Sequence, residues 1–561
     1  MPSLNVKIAI RWTDLFPEPV HLSEIISSIS TFSGPDVFRV LSRTIHFLTS
    51  QNLDKGSMDF LLSGMLSPQM IVEIDRARIR YASELLPFSR LQLLSALKLT
   101  AMAGKGTRVL ENREDRHEFG KRLLQISDLV DRSEAHDWES PQDLIEHPSR
   151  VAKKILARSL VENTSDFANH FARYFKIIDE FLPNRINPRG KGKAWMDAVF
   201  FQAYKTSMLD CFLVAFGVTI LNKQTKPSEF GKKQPALIRD EFFSKMNWRG
   251  ERIDGALNFL SLDYEDLAVE IMACQEAPFE FDFGVFRRWP LCRHLDQYLV
   301  VDSEFLIDNA GEGLLKALER AAGFRKRQLL RSALGLAIED YVFWLLANSR
   351  GDYSERLRRL DEPGKHADII VTDGPVMSVV EVATVLWNDR ERYSNQPEDL
   401  SSALERIVSK EFDQLFWSIK HVLRMDHPPR QIIPVIVGWD RGLSFADVQY
   451  TLNKHFEKAK RKHLAAISVT DVRISRLVVL PLDDLELISG LITEGQDFKD
   501  VMHAIIADDP DGRFGVRNVI SGRKFLDPGM GRATGLAWDE LKAAVSENFV
   551  SEEITGVSTT F

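Results

Sequence analysis

The sequence predicts an α+β protein: a large, mostly α-helical N-terminal region followed by an α/β domain with a mixed central sheet. Three observations carry this. Apolar residues recur at three- and four-residue spacing through roughly the first 280 residues, as in 91–102 (LQLLSALKLTAM) and 167–181 (FANHFARYFKIIDEF). Beyond that point, short runs rich in β-branched and aromatic residues alternate with amphipathic segments. The 561 residues also exceed what one hydrophobic core normally organises, so two or three domains are expected.

In order along the chain, the helical region spans 1–280 and is punctuated by Pro, Gly and Asn clusters such as 182–193 (LPNRINPRGKGK). The glycine-lysine stretches at 104–107 and 189–193 lack the GxxxxGK[ST] spacing of a phosphate loop and read as solvated basic turns. A connector over 281–324 begins with two strand-like runs, 279–291 and 297–307. The α/β domain then occupies 325–500. Its first helix reaches from about Gly311 to Leu346, and two apolar strands flank an Asp373-Gly374 turn, a hairpin signal. A helix at Leu404–Leu423 leads to the strand run 431–439, and a helix at Ser444–His463 leads to the run 476–482. A short helix (DDLELISGLI) closes the series. The remaining 501–561 reads as surface loops with one helix near Trp538–Val545.

Composition narrows the function classes. With 44% hydrophobic and 27% charged residues the chain is globular in type. Its formal charge of −8 requires any nucleic-acid contact to come from a local basic patch. Cys211, Cys274 and Cys292 are too few and too scattered for a disulfide framework or a four-thiolate zinc site, which fits a cytoplasmic setting. No HExxH occurs among the 13 histidines, and Cys292 with His294 makes too small a ligand set. The first residues lack the basic-then-apolar design of a signal peptide, and no stretch approaches 18 uninterrupted apolar residues, so no membrane association is expected.

Two carboxylates stand out. Asp368 opens the first strand of the hairpin and Glu381 lies toward the end of the second, so their heights along the two strands nearly coincide. Neighbouring strands run about 4.8 Å apart, which lets one divalent ion bridge both side chains if they share a face. Carboxylates within otherwise apolar strands cost free energy unless paired or metal-bound. The run 453–463 adds Lys458, Lys460, Arg461 and Lys462, a candidate phosphate-contact patch or an ordinary solvated helix end.

These residues resemble the PD-(D/E)XK, or restriction-endonuclease-like, nuclease superfamily. The resemblance rests on the helix SALGLAIEDYVFWLL (332–346), the strand opening KHADIIV (365–371) and VVEVA (379–383), and it covers less than half the chain. It implies a helix, three strands, a helix and a strand over about 325–440. It also implies Mg²⁺ or Mn²⁺ held by Asp368, Glu381 and the carbonyl of Val382, with Glu339 joining the metal shell. The family's lysine, two residues after the glutamate, falls at Ala383. Some members take the lysine from the following helix. Projecting that helix at ~100° per residue places Lys420 at the border of the apolar face and Lys410 on the far side, with Lys365 as another substitute. The implied function is metal-dependent cleavage of nucleic acid, DNA first, within a bacterial restriction or antiviral defence system that supplies partner proteins. The alternative, favoured by Ala383, is a catalytically silent nuclease-fold subunit that binds DNA or a partner protein.

Overall fold

In a computed structural model of the chain, the residues described are 8–49, 64–81, 85–135, 153, 156–161, 166–187, 191–224, 237–238, 250–273, 283–359, 367–385, 387–394, 396–465, 472–510 and 530–548. They form a mixed α+β protein that divides into two units. The first comprises Met1–Ser165, Phe201–Ala317 and Val545–Phe561, and the second Asp166–Phe200 and Leu318–Ala544. The division therefore differs from the one drawn on sequence, because Asp166–Phe200, assigned there to the helical region, packs with the second unit.

In the first unit, the helix Arg90–Ala103 starts on a Ser89–Gln92 capping box and is buried on nearly every side, Lys98 included. Its buried polar side chains find partners: Gln92 donates to the Leu123 carbonyl, and Lys98 lies over the Phe283 ring. A four-stranded sheet orders Leu237–Ile238, Gln297–Val300, Leu291–His294 and Ser261–Asp263 side by side. The two strand-like runs of the connector are only partly strands. Gly284–Arg288 is helical, and 279–282 lies outside the described residues. The second run ends as a strand at Val300, because the Asp302 carboxylate accepts the Glu304 and Phe305 N–H groups and starts the helix Ser303–Asp308. Arg90 ion-pairs with the same Asp302 at 2.7 Å, both residues buried.

In the second unit, helix α1 (Phe167–Lys176) precedes the long helix α2 (Leu314–Ser349, of this unit from Leu318 onward), which breaks at Gly323, where φ is 70° and ψ 171°. Then follow β1 (Leu357–Arg358), β2 (Ile369–Asp373), β3 (Val376–Ala383), α3 (Asp389–Tyr393), α4 (Pro397–Leu423) and β4 (Gln431–Gly438). After these come α5 (Ala446–Leu464), β5 (Arg473–Ile474), β6 (Val478–Pro481), α6 (Leu482–Thr493), α7 (Phe498–Asp508) and α8 (Arg532–Asn548). The sheet order is β5-β4-β3-β2-β1, with β6 also paired to β4. β1, β2 and β3 are successively antiparallel, whereas β4 is parallel to β3, β5 and β6. Asp373 pairs with Val376, so the hairpin loop is Gly374-Pro375, one residue beyond the sequence expectation, and Gly374 takes the left-handed φ of 65°.

β3 and β4 are apolar along almost their whole length because each is flanked by strands and covered by helices; α4 lies on both and packs against α5. Pro434 sits inside β4 without breaking the sheet. It falls between the β5 pairing, which ends at Ile432, and the β6 pairing, which begins at Val435, where a missing donor interrupts neither ladder. Helix α1 is fixed to α6 through buried Arg173, whose guanidinium meets Asp483 at 2.7 Å and Glu486 at 3.5 Å. The Tyr341 hydroxyl of α2 donates to Glu486 at 2.6 Å.

Candidate functional site

The antiparallel register of the hairpin pairs Ile369 with Val380, and one further step places Asp368 opposite Glu381. Helix α4 then crosses β3, and its geometry at this point is fixed by two contacts. Ser418 accepts the Ala367 N–H at 2.6 Å, tying the helix to the chain just before Asp368. Two turns earlier, Glu411 brings its carboxyl group to that of Glu381, close enough to share a proton. Glu381 is 1% exposed and Glu411 is fully buried. Neither Oε2 atom has another hydrogen-bond partner.

Four carboxyl groups therefore gather from four elements: Glu339 on α2, Asp368 before β2, Glu381 on β3 and Glu411 on α4. Burial raises the pKa of Glu381 well above the usual range, and the Asp368 and Glu411 carboxyls push it further. Burial, then the Asp368 charge, lifts Glu339 to about 8, opposed by Arg359 and Lys410. Asp368 is raised to about 6, chiefly by burial, although the Val382 N–H donates to its Oδ2 at 2.7 Å and favours the ionised form. The next residue of α2, Asp340, is turned to other partners, Arg185 at 2.6 Å and Arg359 at 2.8 Å. Where α2 passes Thr384, residue 335 is glycine, and a Cβ there would stand 3.3 Å from the Thr384 hydroxyl, a tight contact that a shift of a few tenths of an ångström relieves.

Val382 uses its N–H on Asp368, whereas the Ala383 carbonyl accepts from Trp439 beyond β4. Extended backbone alternates the edge to which successive residues direct their polar groups, so the Val382 carbonyl faces the Asp368 side. Ala383 is buried against Gly438 in the parallel ladder.

The lysine assignment is the main difference from the sequence reading. Lys410 Nζ stands 3.0 Å from Glu411 Oε1, and its side chain is 57% exposed. Burial opposes its charge, but Glu411, Glu381 and Asp368 more than offset that and raise its pKa. Lys420 lies instead beside His463 of α5. The helical projection took the centre of the apolar stripe as the direction of the site. In the structure Phe412 and Phe416 of that stripe pack on Phe456 of α5, and the carboxyl cluster meets α4 at the stripe's opposite edge, next to Lys410. Lys365 lies outside the described residues.

On α5, Lys458, Arg461 and Lys462 are exposed. Lys460 is bound to Glu457 at 3.3 Å and to the Ile474 carbonyl at 3.1 Å, so it anchors β5 rather than facing outward. Glu411 was missed on sequence, although a signal was present: an acidic residue between the buried Ile407 and Leu415, one turn to either side.

Among the described residues, no three His, Cys, Asp or Glu side chains converge tightly enough to hold a metal ion in the conformation observed. The donor chemistry nonetheless fits a hard divalent cation: the donors are carboxylate oxygens, two of them buried and unsatisfied, and one backbone carbonyl. No single described helix is long and apolar enough to cross a membrane. Comparison of the chain with protein-family models, with curated proteins and with solved structures yields no match.

Proposed function

We propose that the second unit is a metal-dependent nuclease whose site is the cluster of Asp368, Glu381, Glu411 and Glu339. The observation that carries this reading is the buried, unsatisfied carboxyl pair of Glu381 and Glu411 beside Asp368. Excess acidic groups brought together out of water are costly unless protonated or neutralised by a cation. The element order α2, β1, β2, β3, α4, β4, with only the five-residue α3 set between β3 and α4, supports it, following the helix, three strands, helix and strand implied by the resemblance.

Mg²⁺ or Mn²⁺ bound there would supply a hydroxide-like water and a counter-charge for the phosphate. Asp368 and Glu381 would hold the ion, with the Val382 carbonyl, Glu411 and Glu339 as the further oxygens. Lys410, held by Glu411 and open to solvent, is placed to meet a phosphate oxygen and to offset the charge that develops on it. It thereby takes the part that Ala383 cannot fill. The exposed cations Lys458, Arg461 and Lys462 would add sequence-independent phosphate contacts. A restriction or antiviral setting fits an enzyme that cuts nucleic acid, DNA first, and partner proteins would supply its trigger.

A second reading is supported by Ala383 and by the open arrangement of the carboxyls: a nuclease-fold subunit that binds nucleic acid or a partner without cutting. Incubating the purified protein with labelled DNA and RNA in Mg²⁺ or Mn²⁺ separates the two. Metal-dependent cleavage that Glu381→Gln abolishes supports the nuclease. Binding without cleavage under every metal supports the silent subunit.

A further inference from the structure

Helix α4 carries more than Glu411 and Lys410. Arg406, Lys410, Trp417 and His421 follow one another at intervals of four, seven and four residues, which sets them on one face of an α-helix. That face is the solvent side. Arg406 is 47% and Lys410 57% exposed in their side chains, and Trp417 is among the exposed large apolar residues at 37%. Trp417 and His421 are stacked, with ring planes 10° apart and centroids 5.7 Å apart, so the imidazole backs the indole and steadies its plane.

The position of this surface gives it meaning. Trp417 adjoins Ser418, which is fully buried and holds the Ala367 N–H beside Asp368. Lys410, about 10 Å away along the helix axis at 1.5 Å per residue, adjoins Glu411 of the carboxyl cluster. Cationic and flat aromatic groups thus line one exposed edge of the acidic site. An exposed indole held by a stacked ring and flanked by cations complements a nucleobase with its phosphate. In a duplex the base faces are already occupied by their neighbours, so such a platform has a partner only where bases are unpaired.

We infer that the Arg406–Lys410–Trp417–His421 face binds a single strand of nucleic acid, stacking one unpaired base on Trp417, backed by His421, while Lys410, and Arg406 beside its Glu391 partner at 2.7 Å, contact its phosphates. This deepens the nuclease reading and rests on it for the link to cleavage: the substrate is single-stranded DNA or RNA, or an unpaired end or loop. Stacking does not distinguish the sugars, so both kinds of strand are taken.

The test uses fluorescence anisotropy with the full chain in chelator, on fluorescein-labelled oligothymidylate and oligouridylate of about 20 nucleotides and on a blunt duplex of equal length. The wild type should bind the single strands more tightly than the duplex. Trp417→Ala should weaken single-strand binding by about 10-fold and leave duplex binding within about twofold, while Trp417→Phe, which keeps a ring, should recover most of the loss. Loss below about twofold in Trp417→Ala, equal loss on the duplex, or a wild-type preference for duplex overturns the inference. Cleavage measured in parallel keeps the two ideas apart. Trp417-dependent binding without metal-dependent cleavage leaves the platform standing and removes the nuclease. Cleavage abolished by Glu381→Gln but indifferent to Trp417 does the reverse.

Discussion

Glu381 of β3 and Glu411 of α4 meet carboxyl to carboxyl in the interior, and each is left with an oxygen that no donor reaches. Two ionised carboxylates cannot share such a space at ordinary cost, so a proton or a cation must lie with them.

Replacing one of the pair by its amide removes the repulsion. In chelator, Glu381→Gln and Glu411→Gln should each fold normally and melt a few degrees higher than the wild type at pH 8, since about 1 kcal/mol corresponds to roughly 2–4 °C in a domain of this size. Thermal melting that falls in both variants would show that the pair is instead a needed hydrogen bond.

Stability should also respond to pH in a defined direction. Glu339, at about 8, and Asp368, at about 6, hold protons in the folded state that the unfolded chain has already released. Their burden on stability is absent below the usual carboxyl range of about 4, grows as pH rises, and is complete above the folded values. Melting curves from pH 5 to 8.5 in chelator should therefore fall less steeply for Glu339→Gln than for the wild type. Parallel curves would remove Glu339 from the cluster.

Lys410→Ala should lower metal-dependent cleavage by about 10²–10³, the usual range for deleting a preorganised electrostatic stabiliser, whereas Lys420→Ala should change it little. The opposite ranking in steady-state rates would return the role to Lys420.

Buried Arg173 offers a test of the fold that is independent of function. Arg173→Met strands Glu486, while Asp483 keeps Arg441 at 3.1 Å, and should cost on the order of 3–5 kcal/mol in urea unfolding, because removing one partner leaves the buried Glu486 charge without its cation. A loss under about 1 kcal/mol would mean that water reaches Glu486.

Much of the second unit was legible in sequence because its signals are local. The Gly374 turn, the apolar runs of β3 and β4 and the amphipathic α4 and α5 each declare themselves within at most 27 residues. The heights of Asp368 and Glu381 followed from counting outward from the turn. What local pattern does not contain is which edge of a buried stripe faces which neighbour. The stripe of α4 meets both the sheet and α5, so an angular projection alone could not tell that Lys410 rather than Lys420 borders the acids. The same gap hid Glu411, whose reading as a solvated helix acid changes only once β3 lies beneath it. It also hid the assignment of Asp166–Phe200, whose link to α6 runs through Arg173 and residues more than 300 positions away.

The most direct measurement of the central claim is binding of Mn²⁺ by isothermal calorimetry, with cleavage of labelled single-stranded DNA followed in the same preparation. The wild type should bind the ion and cut, while Asp368→Asn and Glu381→Gln should remain folded, lose binding and lose cutting together. Metal binding and cleavage that survive in both variants, or a wild type that neither binds metal nor cuts any strand, would contradict the assignment of this cluster as a nuclease site.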